Sequence, residues 1–171
     1  MEYFPATLSR AESDELIDRI ERSFSEHGYG LWAVEVAGET ALAGFVGLIC
    51  QQNSELPFAP AVEVGWRLAQ SAWGRGIATE AASASLDFGF DTLGLDEIVS
   101  FTTAENRRSR AVMERLGMRQ EPDEDFLHPA LEAGDPLAPH VLYRISREHW
   151  NRSGSPGSQT RADRRRSDGD A

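Results

Sequence analysis

The sequence predicts a single α/β (α+β) domain in which amphipathic helices alternate with short strands. Three observations carry that expectation. The chain has 171 residues, 40% hydrophobic and 26% charged, a globular composition at a length that buries a core. Its apolar residues switch repeatedly between helical spacing and strand-like alternation. Clusters of Gly, Pro, Asn and Asp separate those segments.

The elements follow in order. Ser9 and Glu12 form a capping-box pattern, and Leu16, Ile17, Ile20 and Phe24 make one apolar stripe, so a helix is expected over residues 9–27. Residues 31–36 and 42–50 are apolar runs joined by Ala37-Gly38-Glu39-Thr40, the pattern of a hairpin. Residues 51–60 read as a polar loop with two prolines. A third strand is expected over 62–68, with Glu63, Gly65 and Arg67 on one face and Val64, Trp66 and Leu68 on the other. A glycine-rich turn then opens a helix over 77–93. Residues 98–103 form a strand, and 109–116 a helix that Gly117 ends. Two further strands, near 118–126 and 140–146, flank an irregular loop containing Pro129, Pro136 and Pro139. The domain is expected to occupy residues 1–151. Residues 152–171 are Ser, Gly, Arg and Asp with almost no apolar surface, which reads as a disordered tail.

Charge and cysteine content narrow the function. Seventeen basic residues, all arginine, against 28 acidic ones give a formal charge of −11. Five of the arginines and three of the acids fall in the tail, so the tail is +2 and the body −13. No net positive field is available to neutralise phosphates, which argues against nucleic acid and suits a cationic partner such as an amine. The run Arg164-Arg165-Arg166 reads as part of a solvated tail. A single cysteine, Cys50, excludes an intramolecular disulfide and a cysteine-rich zinc site; within an apolar run it reads as a structural thiol. The uncharged stretch near the middle of the chain is too short, and too broken by glycine, to span a membrane. Met1-Glu2-Tyr3-Phe4-Pro5 lacks the basic and apolar regions of a signal peptide, so a cytoplasmic protein without a membrane partner is expected.

Two stretches carry chemistry. In Val64-Gly65-Trp66-Arg67-Leu68 followed by Trp73-Gly74-Arg75-Gly76-Ile77-Ala78-Thr79-Glu80-Ala81, a strand runs through a Gly-x-Gly turn into an alanine-rich helix. Glycines allow close backbone approach, and unpaired amides at a helix start suit a pyrophosphate. The pattern is neither a Walker loop nor a dinucleotide fingerprint. The second stretch is Glu105-Asn106-Arg107-Arg108-Ser109 leading to Arg115-Leu116-Gly117-Met118, where Asn106 or Ser109 is placed to cap a helix.

In this order, these words resemble the GNAT superfamily of acyl-CoA-dependent N-acyltransferases, and within it the RimJ/RimL-like branch. The likeness extends over about residues 1–150. It implies a mixed, bent sheet flanked by helices, splitting to admit acetyl-CoA as co-substrate, and calls for no metal. By resemblance, the backbone amides of Trp73, Gly74, Arg75, Gly76, Ile77 and Ala78 would bind the pyrophosphate. The open strand edge near Leu68 would pair with the pantetheine arm. Asn106 would hydrogen-bond that arm, and Ser109 would lie near the thioester. His128 and His140, in words that recur in relatives, would wall the acceptor side. The chain departs from the family pattern at Ser71, where many members start the phosphate motif with Gln or Arg. It departs again at Met113, where many place an acid tyrosine, which leaves Ser109 or a water as proton source. Relatives also begin with a strand and helix ahead of the segment matching Tyr3-Phe4-Pro5, so either Met1 is a misplaced start or the fold lacks both. An unpaired sheet edge would then invite a homodimer.

The expected reaction is attack of a small-molecule or peptide amine on the acetyl thioester. Glu63 has two readings: a base for the amine proton, or a surface carboxylate paired with Arg67. A backbone amide near Leu68 is the expected oxyanion donor. Asp123, Glu124 and Asp125 read as a solvated loop or an attractor of cations. Trp32, Trp66 and Tyr143 read as acceptor pocket or core. Beside an N-acetyltransferase stand a catalytically degenerate CoA-binding module and a nucleotide-binding α/β domain.

Overall fold

The structure, a computed structural model, describes residues 8–153 apart from 40, 53, 54 and 133. Helix α1 (Arg10–His27) starts where its sequence signature places it. Ser9 Oγ accepts from the Glu12 amide and Glu12 accepts from the Ser9 amide, and Gly28 closes the helix at φ 77°. Strand β1 (Leu31–Val34) pairs antiparallel with β2 (Gly44–Gln51), and β2 with β3 (Ala61–Leu68) along its whole length. Helix α2 (Ile77–Asp87) then leads to β4 (Glu97–Thr103), and α3 (Arg107–Arg115) follows. Strands β5 (Arg119–Gln120), β6 (Phe126–Leu127) and β7 (Pro139–Ser146) precede a last helix, α4 (Arg147–Ser153). The strands form one seven-stranded mixed sheet ordered β1-β2-β3-β4-β7-β5, with β6 also on β7.

One pairing shapes the molecule. β3 and β4 run parallel and register only at Glu63 with Val99, whereas β4 pairs with β7 over seven residues. Past Glu63 the two halves of the sheet part, and a cleft opens between the last residues of β3 and β4.

The two sheet faces bury different things. Val46, Leu48, Val64, Ile98, Tyr143 and Ile145 face α2 and α3, and with Leu86, Met113 and Leu116 they form the main core. The opposite face buries a smaller cluster of Leu56, Phe58, Val99 and Leu142, roofed by the loop between β2 and β3.

Four expectations change. The strand expected over 118–126 is two short strands around a turn at Pro122–Glu124, because Pro122 has no amide for a ladder. The α-helix expected to reach residue 93 ends at Asp87 and continues as a wider π turn over Phe88–Thr92. Helix α3 begins two residues before the expected 109, because Asn106 is its cap. The break expected after residue 151 falls inside α4, whose Trp150 is buried and donates to Asp87. The expected disordered tail beyond Ser153 and the missing first strand, with the dimer it would invite, concern residues outside those described. No described helix is long and apolar enough to cross a membrane.

Candidate active site

A cavity of about 700 Å³ occupies the helix-side of the cleft, walled by the end of β3, the glycine turn with the start of α2, and one face of α3 along its length. Leu68, Trp73, Gly74, Gly76, Ile77, Ala78, Asn106 and Ser109 line it, all of them named from the sequence. Arg75 is not in the lining. Its guanidinium bonds Glu39 at 2.6 Å, so only its backbone belongs to the turn.

The walls present backbone donors for a physical reason. Gly74 and Gly76 have φ 71° and 80°, the left-handed region that side chains with a Cβ resist, which lets the turn swing its amides inward. Gly76 caps α2 without a side chain, and the first intrahelical bond is Glu80 N–H to Gly76 C=O. The amides of Ile77, Ala78 and Thr79 therefore have no intrahelical acceptor. Trp73 differs from expectation: its amide already donates to the Gln70 carbonyl at 3.1 Å.

The edge of β3 offers a second set. Leu48 N–H bonds the Gly30 carbonyl, so even-numbered residues of β2 turn their backbone toward β1 and odd-numbered ones toward β3. By register, Glu63, Gly65 and Arg67 turn toward β2. Val64, Trp66 and Leu68 turn the other way; Val64 still belongs to the Glu63–Val99 pairing, but beyond it there is no β4 ladder to receive Trp66 and Leu68. The Leu68 carbonyl is taken by the Trp73 indole N–H at 2.9 Å. Its amide faces the cleft.

At the mouth of α3, Asn106 is both cap and scaffold. Its Oδ1 accepts from the Ser109 amide at 3.2 Å, and its Nδ2 donates to Thr102 Oγ1 and Ser109 Oγ, each at 3.0 Å. Trp66 Nε1 donates to the same Ser109 oxygen at 3.3 Å. Two N–H donors thus fill the acceptor positions of the Ser109 hydroxyl, and its own proton is left to donate. Met113 is buried in the core behind this wall and plays no part in the lining.

Sequence reasoning missed the charge of the cavity. Arg67, Arg107, Arg108 and Arg115 line it, in a chain whose formal charge is −11. Arg108 stacks 4.6 Å above the exposed Trp73 ring. The signal was present: residues 107, 108, 111, 112 and 115 fall at i, i+4 spacing on one helix face.

Glu63 and the two histidines lie on the opposite sheet face. Glu63 is 8% exposed, and Gln51 Nε2 donates to its Oε2 at 2.5 Å. Burial pushes its carboxyl up to about 7, and the Gln51 bond offsets part of that rise. The reading of Glu63 as a surface carboxylate held by Arg67 is therefore corrected: it is buried, and its hydrogen bond comes from across the β2–β3 ladder. Arg67 instead places its guanidinium over the Phe45 ring at 5.7 Å.

His128 and His140 stand with ring centroids 4.9 Å apart, both against Phe101 and Phe126. Burial lowers the pKa of both below the usual imidazole range; for His140 the Ala138 carbonyl opposes this and His128 adds to it. His140 Nδ1 faces the Ala138 carbonyl at 3.0 Å and so carries its proton there, leaving Nε2 as an acceptor. His128 Nδ1 accepts from the Ala130 amide at 3.2 Å, so its Nε2 is a donor. Thr103, registered opposite His140, is 3% exposed, and its Oγ1 has no partner among the described residues.

The remaining candidates resolve into structure. Trp32 packs edge-on to Phe24 and Phe88, and Tyr143 is buried beside Arg110 and Glu114. Glu124 pairs with Arg144 at 2.6 Å and Asp125 accepts from Gln120. Cys50 is half-buried against the main core. No group of three or more metal-ligating side chains occurs among the described residues.

Comparison with known proteins gives this geometry a family. Residues 1–119 match the model of the acetyltransferase (GNAT) domain. The chain is 33% identical over 144 residues to the FsC-acetyl coenzyme A-N(2)-transacetylase of Aspergillus fumigatus, a match covering 79% of this chain and 57% of that relative. Among solved structures, a GNAT-family acetyltransferase from Bacillus anthracis superposes with a TM-score of 0.66 at 25% identity, covering 86% of this chain and 81% of the other. An acetyltransferase from Agrobacterium tumefaciens gives 0.62 at 28% identity, covering 83% and 74%. The parted parallel strands, the glycine turn and the match over residues 1–119 place this chain in the GNAT family of acetyl-CoA-dependent acyltransferases.

Proposed function

We propose that this protein transfers the acetyl group of acetyl-CoA to a primary amine by direct attack. The observation that carries the reading is the parting of β3 and β4 at Glu63 and Val99. It puts an amide- and arginine-lined cavity on one face of the sheet, and on the other a buried carboxyl that titrates at about 7. The residues present fit acetyl-CoA. The amides of Gly74 to Ala78 and the three arginines of α3, Arg107, Arg108 and Arg115, suit its phosphates, and the free edge of β3 suits the amides of its pantetheine arm.

Bound there, the acetyl thioester supplies an electrophilic carbonyl and a thiolate leaving group. Glu63 takes the amine proton as the new C–N bond forms. An amide on the cleft edge of β3, at Leu68, donates to the developing oxyanion. The Ser109 hydroxyl donates toward the departing sulfur as the C–S bond breaks. On the acceptor side, His128 Nε2–H and His140 Nε2 offer a donor and an acceptor for the group that carries the amine. The −13 charge of residues 1–151 favours an acceptor that arrives as a cation. The name of the Aspergillus fumigatus relative, which assigns it acetyl transfer from acetyl coenzyme A to an N(2) position, supports a nitrogen acceptor. The sequence words alone support a place in the RimJ/RimL-like branch.

The test is thiol release from acetyl-CoA against a panel of peptide and small-molecule amines. Turnover with at least one class, lost in Glu63→Gln, is the expected result. A second reading follows from Met113, buried where many relatives hold an acid tyrosine: a CoA-binding module without transfer. Tight CoA binding with no turnover on any amine would select it.

A further inference from the structure

Glu63 has two carboxyl oxygens in unlike surroundings, and the difference defines the proposal. Oε2 accepts the Gln51 amide at 2.5 Å from the adjacent strand. Oε1 lies over Gly65, the next position on the same face of β3, where an added Cβ would stand 3.4 Å from Oε1 and 3.1 Å from Ile49 Cδ1. Gly65 is also where β3 has just left β4. Gln51 therefore holds one oxygen back, and the absence of a side chain at Gly65 leaves the other directed along the strand toward the cleft.

We infer that Gln51 is a positioning residue for Glu63, fixing the carboxyl so that Oε1 faces the incoming amine and keeping it in the ionised form. The inference rests on the reading of Glu63 as the base. An amide donor favours the carboxylate over the neutral acid, because only the charged form gains fully from the bond. Burial opposes ionisation, and these two are the causes that set the titration of Glu63. The other charged or titratable groups on this sheet face are Arg67 on β3, Glu97 on β4, His140 and Arg144 on β7, and Arg119 on β5. His128 and Glu124 stand on the segment packed against β7, and Glu55 on the roofing loop. Glu97 and Glu124 are both paired with Arg144 at 2.6 Å, and burial disfavours the charged form of the two imidazoles. None of them replaces the Gln51 bond.

The experiment compares the full chain with Gln51→Met and Gln51→Glu. The first removes the donor at similar volume; the second keeps the shape and sets a like charge beside Glu63, so one of the two remains informative should the other misfold. Glutamate carboxyl carbons are followed by NMR across pH, with the Glu63 signal assigned by its loss in Glu63→Gln. Turnover is measured over the same range. With Gln51→Met the Glu63 titration moves up by about one unit, a tenfold change in its ionisation equilibrium. Starting from a carboxyl near 7, turnover at pH 7 then falls about fivefold and recovers toward pH 9. Gln51→Glu shifts it further in the same direction. An unmoved Glu63 titration overturns the proposal, as does a loss of turnover equal at every pH. A moved titration with an unmoved pH–rate profile keeps the tether and removes Glu63 as the base, so the two failures are distinguishable.

Discussion

On the helix-covered face of the sheet, the ligand cavity is shaped by main chain: a turn with two left-handed glycines, the open start of α2 and the unladdered edge of β3. On the opposite face the same strands offer side chains from distant parts of the chain, with Gln51 against Glu63 and His128 against His140. Backbone recognition needs particular residues only where the dihedrals demand them. It reads a ligand by its phosphates and amides, whatever the acceptor. Side-chain recognition needs long-range pairing to exist first, and it is free to change with the loops. Under the proposed function, one face thus suits a fixed co-substrate and the other an acceptor set by the loops.

The sharpest way to break this division is Glu63→Gln. Loss of a positioned base lowers turnover by about 10² to 10⁴, while CoA binding to the other face stays within about twofold of the parent. The two effects are read by steady-state kinetics and CoA titration calorimetry. Parallel losses would mean that the faces are not separable. With Glu63 as the proposed base, turnover of the parent is expected to rise with pH as its carboxyl, pushed up to about 7, ionises. The sign for stability is opposite. The folded carboxyl titrates above the ordinary glutamate value of 4.5, so the stabilisation is complete below that value and declines as pH rises to about 7. A rise of this size corresponds to about 3 kcal/mol at neutral pH. Glu63→Gln is therefore expected to melt higher than the parent at pH 8 and to lose that advantage at pH 4.

How much of this was legible differs by face for the same reason. The capping box at Ser9, the hairpin and the Gly-x-Gly helix start are local, so they can be read from a few adjacent residues. The residues expected to hold the co-substrate are local too, and most of those named from the sequence line the cavity. Arg75 and the Trp73 amide fell out because the Glu39 ion pair and the Gln70 carbonyl are invisible in a linear motif. Glu63 shows the limit more clearly. Its place on a strand face was readable, but its burial depends on the roofing loop with Leu56 and Phe58, and its partner on the β2–β3 register. Short strands β5 and β6 and helix α4 take their structure from packing on β7 and on Asp87, not from their own pattern.

The cofactor face is tested next. Gly76→Ala must hold a left-handed backbone with a Cβ, which costs about 1 kcal/mol in stability. It also disturbs the amides at the start of α2, so the Kd for CoA is expected to rise about tenfold, close to the loss of one charge-assisted bond. The KM for the amine should stay put once the co-substrate is saturating. Ser109→Ala removes the hydroxyl donor and leaves the Trp66 and Asn106 N–H groups without their shared acceptor. Its expected mark is a fall in turnover of about tenfold with less change in CoA affinity. The loss should shrink with thioesters whose thiols are more acidic. An equal loss with every thioester would remove Ser109 from the leaving-group role.

The smallest expected effect asks whether the acceptor face reaches as far as Thr103. A buried hydroxyl without a partner loses the hydrogen bonds it made to water in the unfolded chain, at a cost of about 1 kcal/mol or more. Thr103→Val keeps the shape and removes that oxygen, so the variant should be as stable as the parent or slightly more so. If the hydroxyl serves no ligand, the kinetics should not change either. Its place in the register argues otherwise: Thr103 lies opposite His140, whose Nε2 is left as an acceptor, on the face that carries Glu63. An acceptor bonded there would find the hydroxyl its partner, and the valine variant would show a KM for the amine raised about threefold to tenfold with turnover unchanged. A raised KM for acetyl-CoA instead would put Thr103 on the wrong face of the division. An unchanged KM for both would confine the acceptor to the stretch between Glu63 and the two imidazoles.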